Sequence, residues 1–246
     1  MKQNLILLFC FVLYLYTSAQ NQGDPKLTEI WSPVPKVITP GKTAADAPSD
    51  AIILYNSKKD SVNWVSKDGK PFNWKAGDKH LTAAPFSGDL RTIQGFGDCQ
   101  LHIEWRTPEE VTDSGQGRGN SGIYFMSRYE LQVLDSYDNS TYSNGQAGSI
   151  YKQHMPMVNV CRPPGEWQTY DVLFTAPRFY EDSSLRSPGR ITVFQNGVLI
   201  QNNVELWGST AFIGVSKYVK HGEKEPLLLQ DHHNTVSYRN IWIREL

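Results

Sequence analysis

From Ala51 to the C-terminus the chain runs in short alternations of apolar and polar residues, each stopped after a few positions by Gly, Pro, Asn or Asp. A period of two is the signature of strands, because successive side chains leave opposite faces of the backbone. Nine runs carry it: Ala51–Tyr55, His80–Ala83, Cys99–Thr107, Ser121–Met126, Tyr129–Asp135, Thr169–Ala176, Arg190–Gln195, Leu227–Asp231 and Val236–Glu245. Asn196-Gly197, set between Ile191-Thr-Val-Phe and Val198-Leu-Ile, is a strong hairpin signal, since both central positions of a type I′ turn need positive φ. No stretch shows the 3.6 period of an amphipathic helix. Spaced strands without intervening helices predict an all-β chain, an antiparallel β-sandwich or jelly roll.

The residues before Ala51 differ in character. Lys2 precedes an apolar run from Leu5 to Tyr16, and Thr17-Ser18-Ala19 follows. A basic start, an apolar stretch and small residues read as a signal peptide over 1–19; a membrane anchor would need roughly 20 apolar residues. The expectation is a secreted or periplasmic protein with no membrane anchor once the signal is removed. Residues 20–49 hold Pro25, Pro33, Pro35, Pro40 and Pro48, which block ladders and helices alike, so an extended lead-in is expected. Residues 50–246 then form one β-domain, a size common for sandwiches.

Charge and cysteine usage narrow the partners. Loss of Lys2 leaves 23 basic against 25 acidic residues with no long basic run, so nucleic acid is not an expected partner. Cys99 and Cys161 are too few for a disulfide framework, and their pairing is open. Neither has the spacing of a zinc site.

Each strand sorts into two faces. Leu101, Ile103 and Trp105 oppose His102, Glu104 and Arg106; Leu131 and Val133 oppose Glu130 and Gln132; Leu227 and Leu229 oppose Leu228, Gln230 and His232. The plain reading of a polar set is a solvated sheet face. These sets are nevertheless rich in Glu, Gln, His, Arg and Asn, which make directional hydrogen bonds. With Tyr124, Trp167 and Trp207 they suit a carbohydrate groove, where sugar faces stack and hydroxyls need polar partners.

Taken in order, Glu104-Trp105-Arg106, Asn120-Ser121-Gly122-Ile123-Tyr124, Arg128 through Asp135, Gly165-Glu166-Trp167, Asn196-Gly197-Val198, Leu229-Gln230-Asp231-His232 and Arg239-Asn240-Ile241 resemble the 3-keto-disaccharide hydrolase family. The resemblance covers about Ala51 to Leu246. It implies a concanavalin-like β-sandwich whose concave sheet carries the site, and action on glycosides already oxidised at C3. One departure is the long stretch after Asp135, Ser-Tyr-Asp-Asn-Ser-Thr-Tyr-Ser-Asn-Gly, which contains an Asn139-Ser140-Thr141 glycosylation triplet.

A ketone at C3 acidifies the C2 hydrogen, so the bond at C1 breaks by elimination instead of through an oxocarbenium ion. That chemistry needs a base near C2, an acid for the leaving oxygen and a holder for the enolate. On the resemblance, His232 is the expected proton-transfer group, since imidazole titrates near neutrality. Glu130 is the second group, as base or metal ligand, and Arg106 the enolate partner. Glu104, Asn120, Ser121, Tyr124, Gln132, Asp135, Trp167 and Gln230 are the expected substrate contacts, and Asp135 reads equally as a turn residue. A divalent metal on Glu130 and His232 would act as a Lewis acid. The alternatives are a non-catalytic carbohydrate-binding module and a conventional glucanase; the Glu-x-Asp-x-x-Glu strand of the latter is absent, because Glu130-x-Gln132 stands with Asp135 at the later position.

Overall fold

Strand alternation builds two packed sheets. The computed structural model describes residues 23–246, so the signal-peptide segment lies outside the described residues. Fifteen strands follow one another: β1 (Ile52–Tyr55), β2 (Trp64–Ser66), β3 (Lys75–Ala76), β4 (Leu81–Thr82), β5 (Leu90–Phe96), β6 (Cys99–Arg106), β7 (Ser121–Phe125) and β8 (Tyr129–Val133). Then come β9 (Gln168–Thr175), β10 (Arg178–Phe179), β11 (Leu185–Ser187), β12 (Arg190–Gln195), β13 (Val198–Glu205), β14 (Glu225–Leu229) and β15 (Ser237–Glu245). The larger sheet runs β13-β12-β9-β6-β15-β4-β3, with β1 also on β15; the smaller runs β2-β5-β14-β7-β8, and β10-β11 is a separate ribbon. All pairings are antiparallel. The only helical pieces among the described residues are short 3-10 turns. None of them is long and apolar enough to cross a membrane.

The inner faces are the apolar sets of each strand. Leu101, Ile103 and Trp105 of β6 and Tyr170, Val172 and Phe174 of β9 meet Ile123 and Phe125 of β7 and Leu131 and Val133 of β8, all fully buried. Phe125 stacks on Phe174 with centroids 4.8 Å apart, which ties the two layers together. Two polar clasps also cross the core: the Tyr170 hydroxyl donates to the Gln132 carbonyl at 2.8 Å, and Ser121 Oγ lies 2.6 Å from the Tyr238 hydroxyl. Buried hydroxyls need such partners.

The β7–β8 hairpin turns through Met126 and Ser127, both at positive φ although neither is glycine. Ser127 Oγ donates to the Pro226 carbonyl and Arg128 Nε pairs with Glu225 at 3.1 Å, which holds the turn in a geometry its residue types disfavour. The outer edge of β8 is closed by its own chain. Gln132 N donates to the Ser149 carbonyl, Gly148 N to the Gln132 carbonyl and Tyr151 N to the Glu130 carbonyl. Glu130 N donates to Thr210 Oγ1 at 3.0 Å.

The chain divides into two compact units, 1–38 and 39–246. The described part of the first, from Gly23, holds one 3-10 turn, Pro25–Thr28, capped by Asp24 accepting from Lys26 N at 3.0 Å. Residues from Thr39 onward belong to the second unit. There the Ala45 carbonyl accepts from Asn240 Nδ2 and from Trp242 Nε1, both at 2.9 Å, and fastens the 39–50 segment over the outer face of the larger sheet. Cys99 and Cys161 are free thiols; burial pushes the Cys99 thiol up to about 12, and Cys161 Sγ accepts from Gln195 Nε2.

Candidate active site

On the outer face of the smaller sheet, β14, β7 and β8 form the floor of a 620 Å³ cavity. Register puts Tyr124 opposite Glu130 and Gly122 opposite Gln132, so these four share that face. Asn120 and Gln116 adjoin them from the loop before β7, and Gln230 and His232 from the end of β14. Tyr142, Tyr151, Thr210 and Phe212 come from the loops beyond the edge of β8. Glu130, Gln132 and Asn120 are buried, while His232, Tyr142 and Phe212 are exposed, so the latter three frame the mouth.

Gly122 is the reason a carboxylate fits here. A Cβ at that position would lie 2.6 Å from Glu130 Oε1 and 2.7 Å from Tyr124 Cε2. Only a glycine leaves room for the Glu130 side chain to lie across β7. Burial pushes the Glu130 carboxyl up to about 8, the nearby Tyr124 hydroxyl opposes the shift, and the Asp89 charge adds to it. The Tyr124 hydroxyl is in turn pushed far upward, by burial first and then by Glu130, so it stays a neutral donor.

The amides around the carboxyl are oriented by one another. Gln132 Nε2 donates to Asn120 Oδ1 at 3.2 Å, Asn120 Nδ2 to the Gln116 carbonyl at 2.7 Å, and Gln230 Nε2 to the Tyr124 hydroxyl at 3.3 Å. This orientation leaves Gln132 Oε1 and Gln230 Oε1 buried without a donor. Unmet buried acceptors are costly, and hydroxyls of a bound ligand would satisfy them. Tyr142 and Tyr151 share one hydrogen bond between their hydroxyls at 2.6 Å, so the pair keeps one O–H to give. Acceptors, donors and a basic carboxyl therefore surround one space.

The polar strand faces of the sequence do not form a single site. Glu130, Gln132, Asn120, Tyr124, Gln230 and His232 line the cavity. Arg106, Glu104 and Trp167 do not, which corrects the expectation of one pocket. Because Leu101, Ile103 and Trp105 point into the core, the alternate residues of β6 face out of the larger sheet, on the opposite side of the sandwich. Glu104 there accepts from Arg239 Nε at 2.6 Å and Asn240 Nδ2 at 3.0 Å, and its carboxyl is held down to about 2 despite its burial, by hydrogen bonds from His102, Asn240 and Arg239. The guanidiniums of Arg106 and Arg239 lie 4.8 and 4.1 Å from the Trp167 ring. Ser121 faces the core, bonded to the Gln230 carbonyl and Tyr238. Asp135 ends its strand as an anchor: it pairs with Arg118 Nε at 2.6 Å and accepts from Tyr137 N. The Asn139 side chain is engaged inside its loop, donating to the Gly115 and Asp135 carbonyls and accepting from Gly115 N.

Besides tyrosines, the ionisable lining groups are Glu130 and His232. One carboxylate and one imidazole fall short of a cation seat, and no group of three or more His, Cys, Asp or Glu among the described residues is placed to hold a metal. Gln116, Gly122, Tyr142, Tyr151, Thr210 and Phe212 were not singled out from the sequence. Gly122 lies within the Asn120–Tyr124 motif, where strand alternation alone assigns a glycine no function; the loop aromatics carry no periodic signal.

A family model described as the 3-keto-alpha-glucoside-1,2-lyase-like domain matches residues 50–244. The crystal structure of a Parabacteroides distasonis protein classed as a glycosyl hydrolase is 46% identical, covers 91% of this chain and 97% of its own, and superposes with a TM-score of 0.86. Two more P. distasonis structures so classed, at 19% and 18% identity, cover 80% of this chain and 94% and 99% of theirs with TM-scores of 0.57, and share the fold. No curated protein sequence gives a significant match.

Proposed function

The chain belongs to the 3-keto-alpha-glucoside-1,2-lyase-like family, and from that premise we propose that it cleaves glycosides carrying a ketone at C3, with Glu130 as the base. The observation that supports this most is the Glu130 carboxyl, buried on the cavity floor and raised to about 8. A ketone α-proton is a weak acid, and a base of raised pKa abstracts it more readily than an ordinary carboxylate while still ionising near neutral pH.

Glu130 takes the C2 proton, and the C2–H electron pair forms the enolate with C3. Collapse of the enolate restores the C3 ketone, makes a C1–C2 double bond and breaks the C1–O bond. The leaving oxygen takes a proton, and His232, which lines the mouth, is the candidate donor. Water adding across C1–C2 completes a net hydrolysis; without it the outcome is a lyase reaction. Asn120 and the Tyr142–Tyr151 pair bring N–H and O–H donors for the ketone oxygen as charge develops there, and Gln132 Oε1 and Gln230 Oε1 accept from ring hydroxyls. If residues 1–19 act as a signal peptide, as their basic start, apolar run and small residues suggest, the reaction takes place outside the cytosol, in the periplasm or the medium.

Incubation with a glycoside and its 3-keto counterpart tests the reading. Cleavage of the keto sugar alone, with transient ultraviolet absorption from the enone, supports it. Binding without turnover would make the chain a carbohydrate-binding module, and cleavage of the unmodified sugar would make it a conventional glycosidase.

A further inference from the structure

The cavity is polar at its floor and aromatic at its mouth, and the two ends suit different parts of a glycoside. Glu130, Gln132, Asn120 and Gln230 supply hydrogen-bonding groups below. Tyr142 and Phe212 stand at the opening, and Ile213 and Val215, next to Phe212 in the same loop, are 85% and 86% exposed. This apolar rim is held in place. The Lys152 ammonium donates to the Phe212 carbonyl at 2.6 Å and sits 4.3 Å from the Phe212 ring, with the Tyr142 and Tyr151 rings each 5.8 Å away. The loop's base is closed by the Ser209–Lys217 bridge, and Thr210 N donates to the Arg128 carbonyl just before β8 while its hydroxyl accepts from Glu130 N of β8.

We infer that the mouth is a leaving-group subsite for an aromatic or similarly flat apolar alcohol, and not for a second sugar. The inference rests on the 3-keto-glycoside reading and narrows its substrate class. A departing sugar would bring several hydroxyls into contact with the rim, where the lining offers the Thr210 hydroxyl, the His232 imidazole and the one O–H of the Tyr142–Tyr151 pair, already assigned to the ketone oxygen, and the hydroxyls left unmatched would lose their water without replacement. An aromatic alcohol needs no such partners, and ring-to-ring contact with Phe212 and Tyr142 favours it through buried area and edge or offset stacking. Lys152 is a positioning residue here: its charge is directed into the three rings and the Phe212 carbonyl, which fixes the wall.

The test compares 3-keto derivatives of methyl α-glucoside, benzyl α-glucoside and a disaccharide. Methanol and benzyl alcohol have nearly the same acidity, so a difference between the first two reports the subsite and not the chemistry. The benzyl glycoside is expected to exceed both others in kcat/KM by about tenfold or more, and Phe212→Ala to cut the benzyl-to-methyl ratio by about fivefold or more. Equal kcat/KM for the benzyl glycoside and the disaccharide, or a ratio untouched by Phe212→Ala, overturns the subsite. Titration calorimetry on Glu130→Gln reads the preference without turnover. Equal Kd for the benzyl and methyl ligands overturns the subsite alone, whereas failure to bind either refutes the 3-keto-glycoside reading beneath it.

Discussion

Replacing Glu130 by Gln should stabilise the protein at alkaline pH while removing its activity. The folded chain holds the Glu130 proton up to about pH 8, whereas the carboxyl's ordinary value is 4.5. Between those values the folded state binds one proton more than the unfolded state, so this group's contribution to stability falls as pH rises from 4.5 through 8 and is constant outside that window. At about 1.4 kcal/mol per pH unit the loss across the window is about 5 kcal/mol. Glutamine keeps the shape and escapes the cost of burying a charge, though it also loses the ion's favourable contact with the Tyr124 hydroxyl, so about 2 kcal/mol is the least expected gain at pH 8.5. For a domain of this size that raises Tm by at least about 4 °C. The assay is thermal and urea unfolding of both proteins at pH 5 and pH 8.5. Near-equal stability at pH 5 and a more stable variant at pH 8.5, with turnover of the keto glycoside down by at least about a hundredfold, is the expected pattern. A stability difference that does not change between the two pH values would refute the desolvated carboxyl on which the site is built.

Other consequences follow from the same geometry. The kcat/KM of the natural chain should climb with pH to a plateau above about 8, because the base must be ionised in the free enzyme; a flat profile from pH 6 to 9 would remove Glu130 from that role. Gly122→Ala drives a methyl group to 2.6 Å from Glu130 Oε1, so it should cost about 1–3 kcal/mol of stability by overpacking and displace the base, seen as lost turnover in a protein that still unfolds cooperatively. Arg106→Ala, on the far side of the sandwich, should leave kcat/KM within about twofold, as expected of distant independent sites; a hundredfold loss would reinstate it as an enolate partner.

The sequence showed the strands whose faces are cleanly sorted and concealed those whose faces are not. Cys99–Arg106 and Arg190–Gln195 were readable because core and outer residues alternate without interruption. Leu90–Phe96 is not legible in the same way: Arg91 and Gln94 break the apolar run, Gly95 weakens it, and Ile93 is exposed. Trp64–Ser66 and the β10–β11 ribbon are too short for a period to show. Within a strand the faces were legible, yet the sheet to which a face belongs was not. Glu104 and Glu130 look alike in alternation, and only the strand order puts β6 in one layer and β8 in the other. Tyr142, Tyr151 and Phe212 reach the cavity from loops, and a loop residue's neighbours are set by tertiary contacts that no local spacing records.

The closed outer edge of β8 bears on more than the cavity. An edge strand with free N–H and C=O groups is a template onto which another molecule's strand can add. Here residues 148–151 and Thr210 occupy the positions an intruding strand would use. The loops that wall the cavity thus also guard this edge of the smaller sheet against strand addition by another copy. Loop exchange aimed at a new substrate range would have to preserve those backbone bonds, or it would trade altered selectivity for aggregation.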